Sequence, residues 1–349
     1  MMQKKKCIAL LILSSVAFSS YPRSIHRPKN PQLPSITTSW YGDSKYHTLA
    51  DSHWEPYPIF HLFDKKYFNK HLLPAGNISF RNNTTEHIST HRINALIEEL
   101  LEEIRQCKKK YTHFTVLQKK DFNRGRGCGL LILKFNNYPF VLKLFSETPD
   151  SFINPWCKGR EPVFFFYMGG GVNRHLTGLT RLKNLDTINK KIKEYPRWRD
   201  RVSTPRKWYW LPKNPRWILV QGKNIGNKKA QSTIIPGLYG IIADFIENEG
   251  GLSLMNAEDR KTALNLCNDL GMMIDPHIQN FFIERETKKL VIVDTEHFPT
   301  VVGFKEEKKF SNYLEWYLSL SAKCAKSLFF RTKDERKIAQ AIRSPYELR

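Results

Sequence analysis

Three side chains near the C-terminal end have the types and spacing to do chemistry. In the stretch DPHIQNFFIERETKKLVIVDTEHF, Asp275 is followed five residues later by Asn280, and Asp294 closes the apolar run LVIV. A carboxylate and an amide oxygen are hard ligands of the kind magnesium takes. If FFI and LVIV pair as a hairpin across the polar ERETKK, Asn280 and Asp294 emerge on the same side. Asp275 then faces the same place as a candidate base or hydroxyl-orienting group. Each residue also has a plainer role: Asp275-Pro276 is a good turn starter, and Asp294 a good strand terminator.

Two upstream features supply what those acids lack. In NRGRGCGLLILKF, Gly125, Gly127 and Gly129 lie between two strand-like runs, and glycines let backbone amides approach a phosphate closely. A flexible hairpin accounts for the same three glycines. Fourteen residues after Gly129, the strand YPFVLKLF places Lys143 on one face with Val141 and Phe145. A buried ammonium needs an anion beside it, whereas on an edge strand the lysine would reach solvent.

The elements that must hold these residues read as follows. STHRINALIEELLEEIRQCKKK is an amphipathic helix, with Ser89 or Thr90 at its start. YTHFTVL, LLILKF and YPFVLKLF are strands, followed by EPVFFFYMGGGVNRHL and a basic helical segment near 184–201. RKWYWLP and RWILVQG are two further strands, and from about 233 helices take over, in TIIPGLYGIIADFIENEGG and AEDRKTALNLCNDLG. The GGG at 169–171 follows Lys143 and reads as a tight turn. Strands in the middle and helices at the end give an α+β order rather than alternating βα units.

The 349 residues suffice for one large domain or two modest lobes, and 41% apolar with 13% aromatic residues argue against disorder. The formal charge of +23 favours nucleic acid, anionic membrane or phosphorylated ligands without choosing among them. MMQKKKCIALLILSSVAFSS has a positive start at Lys4 to Lys6 and an apolar stretch from Cys7 to Phe18, the pattern of a secretory signal over 1–20. An uncleaved anchor is the alternative. Residues 21–85 read as an extended proline-rich arm, 86–222 as a first lobe with its preceding helix, and 223–349 as a second. Asn77, Asn82 and Asn83 each begin a glycosylation sequon. The cysteines beyond the signal are Cys107, Cys128, Cys157, Cys267 and Cys324, a scattered odd set without metal-binding spacing.

The order of glycine loop, strand lysine, D-x4-N, hairpin and aspartate resembles the protein-kinase-like fold over about residues 111 to 300. The resemblance implies a two-lobed α+β fold with an antiparallel-sheet N-lobe, a reduced helical C-lobe and an N-terminal extension. It implies that Gly125, Gly127 and Gly129 cover the phosphates of ATP and that Lys143 binds its α- and β-phosphates. Asp275 would orient the acceptor hydroxyl or accept its proton, Asn280 and Asp294 would hold Mg2+, and Gln221 and Gly222 in LVQGK would flank adenine. Met273 and Ile274 stand where protein kinases carry H-R before the aspartate, so control through a phosphorylated activation loop is not expected. Asp275, His277 and Asn280, with Asp294-Thr295-Glu296, are closer to the aminoglycoside and choline kinase branch. Glu296 either adds a metal contact or structures the turn, and His277 supports the loop or takes part in catalysis. Glu161, eighteen residues after Lys143, is the preferred partner of that lysine over Glu194. About fifty-five residues follow Asp294, room for a small C-lobe only.

The expected function is an ATP- and magnesium-dependent phosphotransferase, acting as a monomer on a hydroxyl of an unidentified protein or small molecule. A pseudokinase working by contact is the alternative. The basic stretch 181–207, with Arg181, Lys190, Arg197 and Lys207 among its cations and Trp198 and Trp208 between them, is a candidate contact for anionic membrane or nucleic acid. The signal-like start implies secretion or export. Because ATP is scarce outside cells, delivery into a host cell or residence in a secretory lumen would reconcile the two.

Overall fold

Alternating apolar residues in the central strands build the sheet on which the lysine sits. The computed structural model describes residues 35–50, 59–153, 172–225, 228–270, 280–296 and 311–315. Strands β5 (Phe114–Asn123), β6 (Cys128–Phe135) and β7 (Phe140–Ser146) form an antiparallel meander, continued by β12 (Leu238–Asp244) and β9 (Lys207–Trp210) in the order β5-β6-β7-β12-β9. One face of this sheet, with Leu131, Leu133, Leu142, Leu144 and Ile242, packs on Ile93, Leu96, Ile97 and Leu100 of helix α3 (Thr90–Arg105). Ser89 caps that helix by accepting from the Arg92 amide at 3.1 Å. Each fully buried leucine here contributes about 1.5–3 kcal/mol relative to exposure.

The opposite face carries Leu130, Phe145, Tyr209, Tyr239 and Ile241. Lys143 shares it, opposite Ile132 on β6 and Ile241 on β12. Helix α5 (Val172–Gly178) and the start of α6 (Arg181–Glu194) cover this face through Leu176, Leu179 and Leu182. Gly178 permits the close approach: a Cβ there would stand 2.9 Å from the Phe145 ring. Two sheet tyrosines pin the helices, Tyr209 by donating to the Leu179 carbonyl at 2.7 Å and Tyr239 by donating to the His175 carbonyl.

A separate four-stranded sheet, in the order β11-β10-β1-β2, comprises β11 (Lys228–Pro236), β10 (Trp217–Ile225), β1 (Ser35–Trp40) and β2 (Tyr46–Ala50). Further on, β14 (Phe281–Glu284) and β15 (Leu290–Ile292) form the anticipated hairpin, flanked by β13 (Asn248–Gly251) and β8 (Val202–Ser203). Their core joins Phe281, Leu290 and Ile292 to Leu266 and Leu270 of helix α8 (Ala257–Leu270). Helix α6 links the two halves. Its Leu182 lies in the core over the lysine face, whereas Ile188 and Ile192 lie in the core of the hairpin half.

The chain is thus α+β, with mainly antiparallel sheets and several helices. Three expectations change. Residues 35–50 and 59–85, expected as arm, carry β1, β2, the short helices α1 (Ile59–Leu62) and α2 (Lys65–Lys70), and β3 (Asn77–Ser79). Their Ile36 and Phe68 are buried in the main core. The segment after 233, expected as helix, is strand through β11, β12 and β13. β12 lies between β7 and β9 with both faces covered, and such a strand reads as an unbroken apolar run rather than an alternating one. The boundary expected after 222 falls inside β10, and the sheet holding Lys143 is completed only at Asp244.

Candidate functional site

The site lies where the two halves meet, and five elements build it. β7 supplies Lys143, β9 supplies Lys207, α5 and the first residue of α6 supply Arg174, Thr177 and Arg181, and the turn after β15 supplies Asp294, Thr295 and Glu296. Lys143 Nζ donates to Asp294 Oδ2 at 3.3 Å, joining residues 151 apart in sequence. Arg181 donates through Nη1 to Asp294 Oδ1 and lies 2.9 Å through Nη2 from Glu296 Oε2. Thr177 Oγ1 donates to Glu296 Oε1. The Arg181 side chain is 4% exposed, and those of Lys143, Asp294 and Glu296 are 16%, 13% and 14% exposed.

The acidic turn is fixed from behind. Lys207 Nζ donates to the Val293 carbonyl at 3.0 Å and to Thr295 Oγ1 at 2.9 Å, so it grips the chain on both sides of Asp294. Thr295 Oγ1 donates to the Arg181 carbonyl at 2.8 Å, and its own carbonyl accepts from Asn184 Nδ2 at 3.1 Å. Val293 N donates to the Asn280 carbonyl at 3.0 Å, so the hairpin pairs the backbone of Asn280 with the residue before Asp294.

Charge is unevenly shared. Among the described residues, Lys143, Arg174, Arg181 and Lys207 surround two carboxylates, Asp294 and Glu296. Burial pushes the Lys207 ammonium well below its ordinary value, the neighbouring Lys143 and Arg181 push the same way, and Asp294 opposes them. A neutral amine still has the two N–H donors that Val293 and Thr295 require. Lys143 is also lowered by burial, against the pull of Asp294. Arg181 opens α6, where the helix dipole disfavours a cation, so its two carboxylates offset that cost as well as its burial.

The glycine turn lies on the same sheet. Gly127 and Gly129 have φ of 62° and 110°, values that favour glycine, and Gly129 pairs with Ser146 near the end of the lysine strand. Gly125 is in the same turn without that backbone demand.

The structure thus brings together Lys143, Asp294 and Glu296, with the Asn280 backbone paired to Val293 beside them. Gln221 and Gly222 stand apart, on β10 opposite Thr37 and Ile36 in the four-stranded sheet, because β10 pairs with β1 and β11 instead of the lysine sheet. The chain leaves the lysine sheet for the hairpin half through 245–247. Asp275, His277 and Glu161 lie outside the described residues. Glu194 ends α6 beside Lys190 at 4.0 Å, and the described carboxylate on Lys143 is Asp294.

Sequence reasoning missed Arg174, Thr177, Arg181 and Lys207 as site residues. It assigned Arg181 and Lys207 to a basic surface, yet both are buried. Lys207 had a legible signal, since it alternates with Tyr209 in KWYW and must share that residue's face. The remaining basic stretch is divided: Arg206 pairs with Asp244 at 2.7 Å and Arg197 with Asp269 at 3.1 Å. Trp198 is buried, while Lys190, Lys193, Arg199 and Arg201 remain exposed.

Two carboxylates and a nearby amide are chemically suited to a hard divalent cation. Among the described residues, no group of three or more His, Cys, Asp or Glu is arranged to hold a metal. Compared with protein-family models, with curated proteins and with solved structures, the chain matches none.

Proposed function

We propose that this chain is a two-lobed, protein-kinase-like phosphotransferase that moves the γ-phosphoryl group of ATP to an alcohol. The observation that carries the reading is the Lys143–Asp294 pair, formed across 151 residues on the sheet that also carries the glycine turn. Among the described residues Lys143, Arg174, Arg181 and Lys207 face two carboxylates, and an anionic ligand is stabilised where desolvated cations crowd together.

In this reading the amides around Gly127 and Gly129 cover the triphosphate, and Lys143 neutralises its α- and β-phosphates. Segment 245–247, the passage between the halves, takes the adenine-side role expected of Gln221 and Gly222. Asp294, Asn280 and Glu296 would hold Mg2+, which supplies charge neutralisation at the phosphates. Lys207 positions Asp294 by holding Val293 and Thr295. Asp275 takes the proton of the acceptor hydroxyl as its oxygen bonds to the γ-phosphorus, and the bond to the β-phosphate oxygen breaks to release ADP.

Turnover of γ-labelled ATP tests the reading. Wild type should release ADP and transfer label to an acceptor, and Asp275→Asn should lose transfer while still binding ATP. A folded wild-type protein that neither binds nor turns over ATP would sink it. Binding without transfer across broad acceptor panels would leave a nucleotide-binding module.

A further inference from the structure

The two carboxylates proposed for metal are already spanned by a cation of the protein itself. Arg181 presents Nη1 to Asp294 Oδ1 and Nη2 to Glu296 Oε2, so one planar fork lies between both acids. The two other oxygens are engaged as well, Oδ2 of Asp294 by Lys143 and Oε1 of Glu296 by Thr177. A divalent cation seeking these acids must therefore displace a donor. Arg181 is the donor that spans both.

We infer that Arg181 is a built-in counter-ion that closes Asp294 and Glu296 to free divalent cations. This rests on the kinase-like reading of the site and specifies how that site is regulated. A free cation adds positive charge where cations already outnumber carboxylates among the described residues, and even a neutral Lys207 leaves Lys143, Arg174 and Arg181 against two acids. A metal–nucleotide complex brings its own negative charge, and its phosphates give the released guanidinium a bidentate partner. Metal then enters together with nucleotide, and each tightens the other's binding.

The test uses Mn2+ alone, followed by electron paramagnetic resonance, without nucleotide. Wild type should bind Mn2+ weakly, and Arg181→Gln should bind it about tenfold or more tightly, the ratio set by loss of a charge-assisted contact to each acid. Arg181→Lys keeps the charge but loses the fork, and should show a smaller gain, about threefold. Circular dichroism establishes that each variant is folded. Should Arg181→Gln not fold, Arg181→Lys alone decides. Unchanged or weaker Mn2+ affinity in the folded variant overturns the inference. Because nucleotide is absent, a gain in Mn2+ binding by a protein that fails to bind ATP would uphold the counter-ion while removing the kinase reading.

Discussion

Two ionic groups built on buried or nearly buried carboxylates lie between the halves of this molecule, and they differ in balance. At the end of β12, Arg81 and Arg206 meet Asp244 and Glu284, two arginines to two carboxylates. Arg81 Nε lies 2.7 Å from Glu284 Oε1, and Arg206 Nη2 lies 2.7 Å from Asp244 Oδ1. Other N–H groups of these arginines reach the carbonyls of Thr204 at 2.7 Å and Ser79 at 2.8 Å. At Asp294, by contrast, Lys143, Arg174, Arg181 and Lys207 share two carboxylates among the described residues. A balanced group with its donors matched works as a strut and gains nothing from a further ion. A group with surplus buried cations is left in electrostatic conflict that an anion relieves. On the proposed reading, this difference in balance among the described residues is what distinguishes the site from the strut.

The largest expected effect falls on the strut. Glu284→Ala removes the main partner of the half-buried Arg81, which keeps of its carboxylates only Asp244 at 3.8 Å, and should cost about 3 kcal/mol in urea unfolding. Replacing Arg81 with Met and Glu284 with Leu together should recover most of that loss. A single Glu284→Ala variant as stable as wild type would break the comparison at its balanced end.

The cluster should respond less, and unequally. Asp294→Asn leaves the four cations with one carboxylate and should destabilise by about 2–3 kcal/mol. Lys143→Met removes one of the surplus cations, leaves Arg181 on Asp294, and should cost about 1 kcal/mol or less. Equal losses from the two variants would show that charge excess does not govern the cluster.

The pH dependence separates the two groups by the pH range in which each acts. Glu284 is partly desolvated, but bonds from Arg81 and Thr287 outweigh this and hold its carboxyl below its ordinary 4.5. On acidification the unfolded chain takes that proton first, so the strut's contribution, complete above about 4.5, falls as pH drops through the depressed folded value. Lys143 and Lys207 are also lowered, from the ordinary 10.5, but there burial outweighs the pull of Asp294, so the shift marks a cost of folding rather than a gain. Between their folded values and 10.5 the unfolded chain holds more protons, so stability rises with pH by at most about 1.4 kcal/mol per pH unit for each lysine. Lys207→Met should flatten the alkaline limb and leave the acid limb intact, as read by thermal unfolding across pH.

The smallest effect belongs to the exposed cations. Alanine at Lys190, Lys193, Arg199 or Arg201 should change stability by no more than about 0.5 kcal/mol and leave ATP affinity unaltered.

The local elements around the site were readable because each has a clean period or a clean turn. Helix α3 follows its apolar spacing, and the FFI and LVIV runs pair as β14 and β15, with the Asn280 backbone against Val293. The strand placing Lys143 among apolar neighbours was equally plain. What escaped depends on tertiary pairing. β12 is mainly apolar up to Asp244 and is covered on both faces, so its letters fit a buried helix as well as a strand. RWILVQG reads as a strand, but nothing within it says that it pairs with β1, nearly two hundred residues earlier. Arg181 sits in a run of basic residues that resembles a solvated helix face, and only the packing of α6 across both cores turns it inward.

The central claim is that surplus cations at Asp294 make a nucleotide-phosphate site, while the balanced strut does not. Calorimetric titration of ATP with magnesium into wild type, Lys143→Met and Glu284→Gln tests it most directly. The account predicts saturable binding by wild type, affinity weaker by about tenfold or more in Lys143→Met, and near wild-type affinity in folded Glu284→Gln. No binding by folded wild type, or equal affinity in wild type and Lys143→Met, would contradict it.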